Sequence, residues 1–221
     1  MKMRRAAQRI AAASLALAVM SSSGGPALAD TDTQAARFLV AVRDLPDPNF
    51  AKSVVLIIRH DKDGAMGIIV NRPTRVTPRE VMPDIDQLAD YGGPVFFGGP
   101  LMLDRMMVLF RSDTAPDTGD AIAVTGDVYI SASEKALLAL PANDFATERM
   151  RIFAGHAGWA PGQLDREIAA GGWHVVPAQI DLLFKTPEGP DWQRLLPDAR
   201  PLSVDAAGSA DPGPAVIYAR R

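Results

Sequence analysis

Residues 54–70 read VVLIIRHDKDGAMGIIV, two aliphatic runs on either side of the turn-forming residues Asp61, Asp63 and Gly64. Branched aliphatic residues favour strands, whereas Asp and Gly favour tight turns. The segment therefore predicts a β-hairpin. The first run, residues 54–58, contains no polar residue, so we expect both faces of its strand to be buried.

Further apolar runs lie on both sides of this hairpin, and the helices predicted between them are short. Strands are predicted at residues 38–42, 95–97, 106–110, 121–125, 128–130, 151–154 and 173–176. Helix starts are indicated by a capping box at residues 77–80, by Ser133, by Pro161 and by Asp191. Residues 180–184 fit either a strand or one helical turn. Many strands and few short helices in irregular order predict a single α+β domain.

The N-terminus has the three-part layout of a secretory signal peptide. Four basic residues fall within the first nine, residues 10–20 are apolar, and Ala-Leu-Ala at 27–29 is the pattern that signal peptidase recognises. We expect cleavage between Ala29 and Asp30. The apolar run is too short to span a bilayer, so no permanent membrane anchor is expected. Two alanines follow Arg4-Arg5, which favours the Sec route over the twin-arginine route. The prediction is a periplasmic or secreted bacterial protein.

Composition limits what the exported chain can do. Removing residues 1–29 leaves 19 Lys and Arg against 26 Asp and Glu, a net charge of about −7. This balance opposes direct binding of nucleic acid. The chain has no Cys, which excludes disulfides and thiolate chemistry. We predict a flexible segment at residues 30–36, one domain at 37–204, and a flexible tail at 205–221 with room for a final strand.

The motifs of common catalytic chemistries are missing. The sequence contains no Gly-x-Ser-x-Gly elbow, phosphate-binding loop or dinucleotide glycine pattern. Its three histidines are not spaced as metal ligands. We therefore predict no catalytic residue, no cofactor and no metal. His156 stands out because glycines surround it at residues 155–158, which predicts a strand-to-helix turn. There it could serve as an acid or base near pH 7 or simply be a hydrogen-bonded surface residue.

Turn-rich segments at strand ends suggest where a ligand would bind. The candidate ligand-binding residues are Asn71, Gly98, Gly99, Pro100, His156, Trp159 and Gln163. Each has a structural alternative. The Gly98-Gly99-Pro100 segment could be a tight turn, Trp159 a core residue rather than a stacking platform, and Gln163 with Glu167 a solvated helix face. The ligand would be an unknown small molecule or an envelope protein.

Several of these motifs together resemble the YqgE/AlgH family. The matching segments are residues 47–50, 52–55, 64–73, 98–101, 155–159, 162–168 and 183–187, with Phe38 and Trp192. Their order and spacing extend over residues 38–195. The resemblance implies an α+β fold in which bent sheets close into a pseudo-barrel, with short flanking helices. It implies no catalytic residues, because none is established for the family.

Three functional hypotheses follow. The first is a non-catalytic, exported binding or interaction module that uses the candidate residues. The second is a transcriptional regulator, the label that members of the family often carry; the signal peptide and the acidic charge oppose it. The third is a hydrolase with His156 as its base, which lacks an identifiable nucleophile or metal set.

Overall fold

The computed structural model describes residues 36–117, 119–140 and 144–197. The predicted signal peptide, most of the predicted flexible N-terminal segment and the predicted tail with its final strand therefore lie outside the described residues. Within them the chain forms one α+β domain, as expected from the sequence. No helix of the described part is both long and apolar enough to cross a membrane.

The described residues form nine strands and five short helices. The strands are β1 (Arg37–Ala41), β2 (Val54–Asp61), β3 (Gly64–Ile69), β4 (Val95–Phe97), β5 (Leu101–Arg111), β6 (Ile122–Thr125), β7 (Val128–Ser131), β8 (Met150–Trp159) and β9 (Trp173–Pro177). The helices are α1 (Pro78–Val81), α2 (Glu134–Leu138), α3 (Gln163–Ala169), α4 (Leu182–Lys185) and α5 (Trp192–Leu195). A 3₁₀ turn spans Asp86–Leu88.

The predicted hairpin is confirmed: β2 and β3 are antiparallel, and Asp61 pairs with Gly64 across the turn. The sheet order is β6-β7-β5-β8-β3-β2-β1-β9, and β4 lies parallel to β8 outside this path. Strand β8 is therefore the hub of the sheet, because β3, β4 and β5 all pair with it.

The main hydrophobic core is built from one face of most strands. Phe38, Leu56 and Ile68 point from β1, β2 and β3 into one cluster, which also receives residues of β4, β5, β7 and β8. Helices α4 and α5 close this cluster with Phe184 and Trp192. One face of seven strands thus contributes to a single core.

The opposite face of the sheet is covered in two places. Val55 and Ile69 contact a second cluster together with Leu164 of α3. Val108 and Ile152 contact a third, which includes Leu137 of α2. Residues 54–56 are fully buried because their neighbours lie on both faces, as the unbroken aliphatic run predicts. Ile57 and Ile58, expected to be buried as well, are only half-buried.

Three local predictions need correction or completion. Strand β8 continues through residues 155–159, which we expected to form a turn. Helix α3 begins at Gln163 rather than Pro161, because Gly162 adopts a left-handed conformation immediately before it. Residues 182–185 form helix α4, which settles the ambiguity at 180–184 in favour of a helical turn. The capping box at residues 77–80 is present, and the Glu80 carboxylate accepts a hydrogen bond from the backbone N–H of Thr77.

Candidate functional site

The glycine-rich segments of the predicted site lie against each other by backbone contact. Gly98 donates from its N–H to the carbonyl of Ala154 at 2.8 Å. A Cβ on Gly99 would lie 2.2 Å from the carbonyl carbon of His156. A Cβ on Gly155 would lie 2.6 Å from the carbonyl oxygen of Gly99. These glycines therefore permit two chain segments to cross closely, rather than forming the turn around His156 that the sequence suggested.

His156 lies within β8, opposite Leu101 of β5. It is half-buried, and its ring makes no hydrogen bond or ion pair with any residue in the described ranges. Burial, followed by the positive charge of Arg105, lowers the pKa of His156 below its ordinary value of 6.5. The ring is therefore neutral at pH 7. A general base normally has an orienting partner and a nucleophile within hydrogen-bond reach, and this part of the chain provides neither.

The lowered pKa of His156 predicts a pH-dependent stability. Because the unfolded chain binds the proton more readily than the folded chain, the contribution is fully present above pH 6.5 and is lost as the pH falls through the folded pKa. We expect the urea midpoint to decrease between pH 7 and pH 5, and His156→Gln to reduce that decrease. His174→Gln, on the distant edge strand β9, is the control. An unchanged pH dependence in His156→Gln would contradict this origin.

Asn71 has a structural task at the start of β2. Its Oδ1 accepts a hydrogen bond from the N–H of Val54 at 2.8 Å, and its Nδ2 donates to the carbonyl of Lys52 at 3.0 Å. Lys52 has a φ of 57°, a conformation that costs energy for a residue with a side chain. The neighbouring Arg72 donates to the carbonyls of Asn49 and Ala51. The motif at residues 71–72 therefore holds the turn at 47–53 in place.

Trp159 and Gln163 meet at the carboxylate of Glu167, for which the sequence suggested only a solvated helix face shared with Gln163. Glu167 accepts from the indole N–H of Trp159 at 2.9 Å, from that of Trp173 at 3.0 Å, and from Nε2 of Gln163 at 2.9 Å. The two indoles are buried and contact the ring of Phe50. Trp159 is thus a core residue, and the Gln163–Glu167 pair is not a solvated helix face. The sequence signal for the contact between Gln163 and Glu167 was their i, i+4 spacing on the helix.

The seven predicted site residues thus fall into separate settings. Gly98, Gly99 and His156 share one backbone crossing, and the carbonyl of Gly98 also accepts from the N–H of Ile69, close to Asn71. Trp159 and Gln163 belong to the cluster around Glu167. Pro100 is exposed and leads into β5. Two cavities of the described structure, one of about 400 Å³ beside α1 and α2 and one of about 180 Å³ beside α4, are lined by none of the seven.

A large bulge in β5 is the most conspicuous surface feature beside this crossing. Leu101 pairs with His156, but the next pair is Met106 with Ala154, so residues 102–105 face Gly155 alone. Leu101, Met102 and Leu103 are 44%, 53% and 51% exposed. We call residues 101–105 the β5 bulge. The sequence prediction missed it, because it placed the strand at residues 106–110; three consecutive apolar residues after Pro100 were the available signal.

A cavity of about 400 Å³ adjoins the β5 bulge. Its walls come from α1 and the segment after it, from the bulge, and from α2. Val81, Ile85 and Leu137 make it partly apolar. Three carboxylates and one guanidinium also line it: Asp84, Asp104, Glu134 and Arg105. None of these four is in an ion pair with another described residue. The cavity is therefore an acidic, partly apolar groove.

The described residues contain no cluster of metal-ligating side chains. Among residues 36–117, 119–140 and 144–197, no three His, Asp or Glu side chains converge as ligands of a metal ion. The nearest histidine contact to an acid is His60 Nε2 at 3.1 Å from Asp165 Oδ1, an exposed pair.

Comparison with known proteins places the chain in a family. The family model described as AlgH-like matches residues 38–201. The chain belongs to the AlgH-like family. This confirms the resemblance inferred from the sequence motifs. A UPF0301 protein of Thioalkalivibrio sulfidiphilus is 37% identical over 177 residues, which cover 77% of this chain and 94% of the relative. A UPF0301 protein of Chromobacterium violaceum is 37% identical over 154 residues, which cover 68% of this chain and 81% of the relative.

Two solved structures are similar to this AlgH-like domain. The solution structure of the AlgH protein from Pseudomonas aeruginosa has a TM-score of 0.57 and 31% identity, covering 76% of this chain and 86% of that one. The crystal structure of a protein from Corynebacterium diphtheriae has a TM-score of 0.59 and 28% identity, and the match covers 71% of this chain and 82% of that one. The names of these AlgH-like relatives specify no reaction, ligand or partner.

Proposed function

We propose that this AlgH-like protein is an exported, non-catalytic binding module that recognises a protein partner through the β5 bulge and the acidic groove beside it. The observation that carries the proposal is the run of three consecutive apolar side chains, Leu101 to Leu103, each 44% or more exposed. Single exposed apolar residues are ordinary, but contiguous exposed apolar patches are typical of interaction sites.

The chemistry of the groove narrows the class of partner. Asp84, Asp104 and Glu134 outnumber Arg105 by two charges, and Val81 and Leu137 supply apolar walls. A segment with an apolar side chain flanked by Lys or Arg would complement both features. The predicted signal peptide supports a partner in the cell envelope rather than in the cytosol.

Binding is favoured over catalysis by the state of His156. The hydrolase hypothesis needs this residue as a base, yet it has no orienting partner among the described residues. The regulator hypothesis needs the protein in the cytosol with a surface suited to nucleic acid. The charge of about −7 expected for the exported chain opposes such a surface.

The interaction can be tested by placing a photoreactive amino acid at Met102 in cells. We expect a discrete cross-linked protein, and we expect Leu103→Asp to abolish the cross-link. The matched control carries the photoreactive group at Ile122 on β6, which is also apolar and 45% exposed. The proteins altered at Met102, Leu103 and Ile122 should all retain the parental melting temperature, because exposed side chains contribute little to stability. Equal cross-linking from both positions would argue against a specific surface.

Export needs a separate measurement. Fractionation followed by N-terminal sequencing should find a chain that begins at Asp30 in the periplasm or the medium. An uncleaved chain in the cytosol would instead support the regulator hypothesis. The two measurements are independent, because a cytosolic protein could still cross-link through Met102.

A further inference from the structure

A second cavity, of about 180 Å³, lies away from the β5 bulge and concentrates positive charge. It is bounded by three segments, residues 92–94, 147–151 and 184–187. The first segment is one of the two Gly-Gly-Pro triplets, and the last belongs to the Leu-Phe-Lys-Thr-Pro motif. The volume is below the range of about 300–1,000 Å³ that is usual for drug-sized ligands. Any ligand of this cavity is therefore small.

A buried guanidinium forms part of the cavity wall. Arg151 is only 2% exposed, and its three nitrogens donate to the carbonyls of Leu183, Thr147 and Thr186 at 3.2, 2.7 and 2.9 Å. Its guanidinium also lies 5.6 Å from the centre of the Phe96 ring. A guanidinium has five N–H donors. The carbonyls use three of them and the Tyr91 hydroxyl accepts a further hydrogen bond from Arg151, so not every donor is used.

No carboxylate neutralises this charge within the described residues. Arg151 takes part in none of their ion pairs. Tyr91 is adjacent, but burial raises the pKa of its hydroxyl above the ordinary value of 10.0 despite the opposing effect of Arg151. Tyr91 therefore stays neutral. Glu148 lines the cavity, and its carboxylate accepts from the hydroxyl of Thr147. A buried charge without a counter-ion is costly.

Further donors line the same cavity. Lys185 makes no ion pair with another described residue. The N–H groups of Gly92 and Gly93 donate to no acceptor in the part of the chain that the structure describes, although Gly93 is buried. Buried backbone donors are nearly always paired. With two cations and one carboxylate in its wall, the small cavity carries a net positive charge, and the buried amide of Gly93 adds a donor without a partner among the described residues.

We propose that this cavity binds a small phosphate-type oxyanion, held by the Arg151 guanidinium, the Lys185 ammonium and the amides of Gly92 and Gly93. A phosphate oxygen can accept several hydrogen bonds, and its charge matches two nearby cations. This oxyanion site is independent of the proposed protein-binding surface. It gives a role to the motif at residues 183–187, which the β5 bulge does not use.

The oxyanion site can be tested by calorimetric titration of the purified full chain with inorganic phosphate at constant ionic strength. We expect saturable binding of one phosphate per chain. Lys185→Gln should weaken it about tenfold, because a hydrogen bond to a charged group contributes affinity of this order. Lys185 is exposed, so this variant should fold. Lys135→Gln, on α2 and outside the cavity, is the matched control and should bind as the parent does.

Arg151→Lys is a second variant, which keeps the charge but loses the forked donor geometry. We expect it to bind phosphate more weakly than the Lys185 variant if it folds. Absence of saturable phosphate binding, equal affinity in Lys185→Gln and the parent, or equally tight binding of acetate would each overturn the proposal. The Leu103→Asp variant should bind phosphate normally, so failure of the protein-binding surface and failure of this site can be told apart.

Discussion

Gly99→Ala should lower the free energy of unfolding by about 3 kcal/mol or more, enough to threaten a domain of ordinary stability. The φ of Gly99 is +151°, which residues with a side chain rarely adopt. The added methyl would also lie 2.2 Å from the backbone carbon of His156, and 2.3 Å from its carbonyl oxygen. Backbone atoms cannot move aside as a flexible side chain can. The crossing of residues 98–99 over β8 would have to open.

Urea unfolding of Gly99→Ala and Gly92→Ala measures this effect against a matched control. A Cβ on Gly92 meets no atom within 4 Å, and its φ is outside the strained region. Gly92→Ala should therefore change the free energy of unfolding by less than about 0.5 kcal/mol. Similar values for the two variants would show that the close crossing does not exist in solution.

Glu167→Ala should lower the free energy of unfolding by about 3 kcal/mol. Two buried indole N–H groups, of Trp159 and Trp173, would lose their shared acceptor. A hydrogen bond to a charged group contributes about 1.5–3 kcal/mol, and an unsatisfied buried donor costs about 1–3 kcal/mol. Glu167→Gln keeps an acceptor oxygen, so a loss of about 1 kcal/mol is expected.

Urea unfolding together with near-ultraviolet circular dichroism checks this prediction, because the indoles report their own packing. The control is Asp165→Ala on the same helix. Among the described residues its carboxylate pairs with His60 alone, and it is mostly exposed, so a loss below about 1 kcal/mol is expected. If the two alanine variants lost the same stability, Glu167 would have no special role in holding the tryptophans.

These two predictions concern residues whose roles depend on distant neighbours. Glu167 is unremarkable on a helix wheel, since its two indole partners come from β8 and β9. Glycines around His156 suggest a turn in any local reading, because glycine is the usual turn residue. Here they are needed because the segment at 98–99 approaches β8 too closely for a side chain.

The candidate binding surfaces also depend on contacts between segments that are distant in the sequence. The β5 bulge exists because the register with β8 skips from Leu101 to Met106, and no local pattern specifies a register skip. The oxyanion site brings residues 92–94 next to residues 184–187, nearly a hundred positions further along the chain. The sequence analysis marked residues 183–187 as a family motif, but nothing in it indicated that this segment meets residues 92–94.

Local chemistry was sufficient for the α+β class, the β2–β3 hairpin, the capping box of α1 and the family, because hydrophobic periodicity, turn residues and motif spacing act over short stretches of chain. The predicted signal peptide is equally local, and fractionation will test it. Long-range packing was needed to make His156 part of a strand, to make Asn71 hold the turn at residues 47–53, and to place the Glu167 carboxylate between two indole N–H groups. Those outcomes depend on which strands pair with β8 and in what register. Pairing between distant segments is set by the shared core, and no single stretch of the chain contains that information.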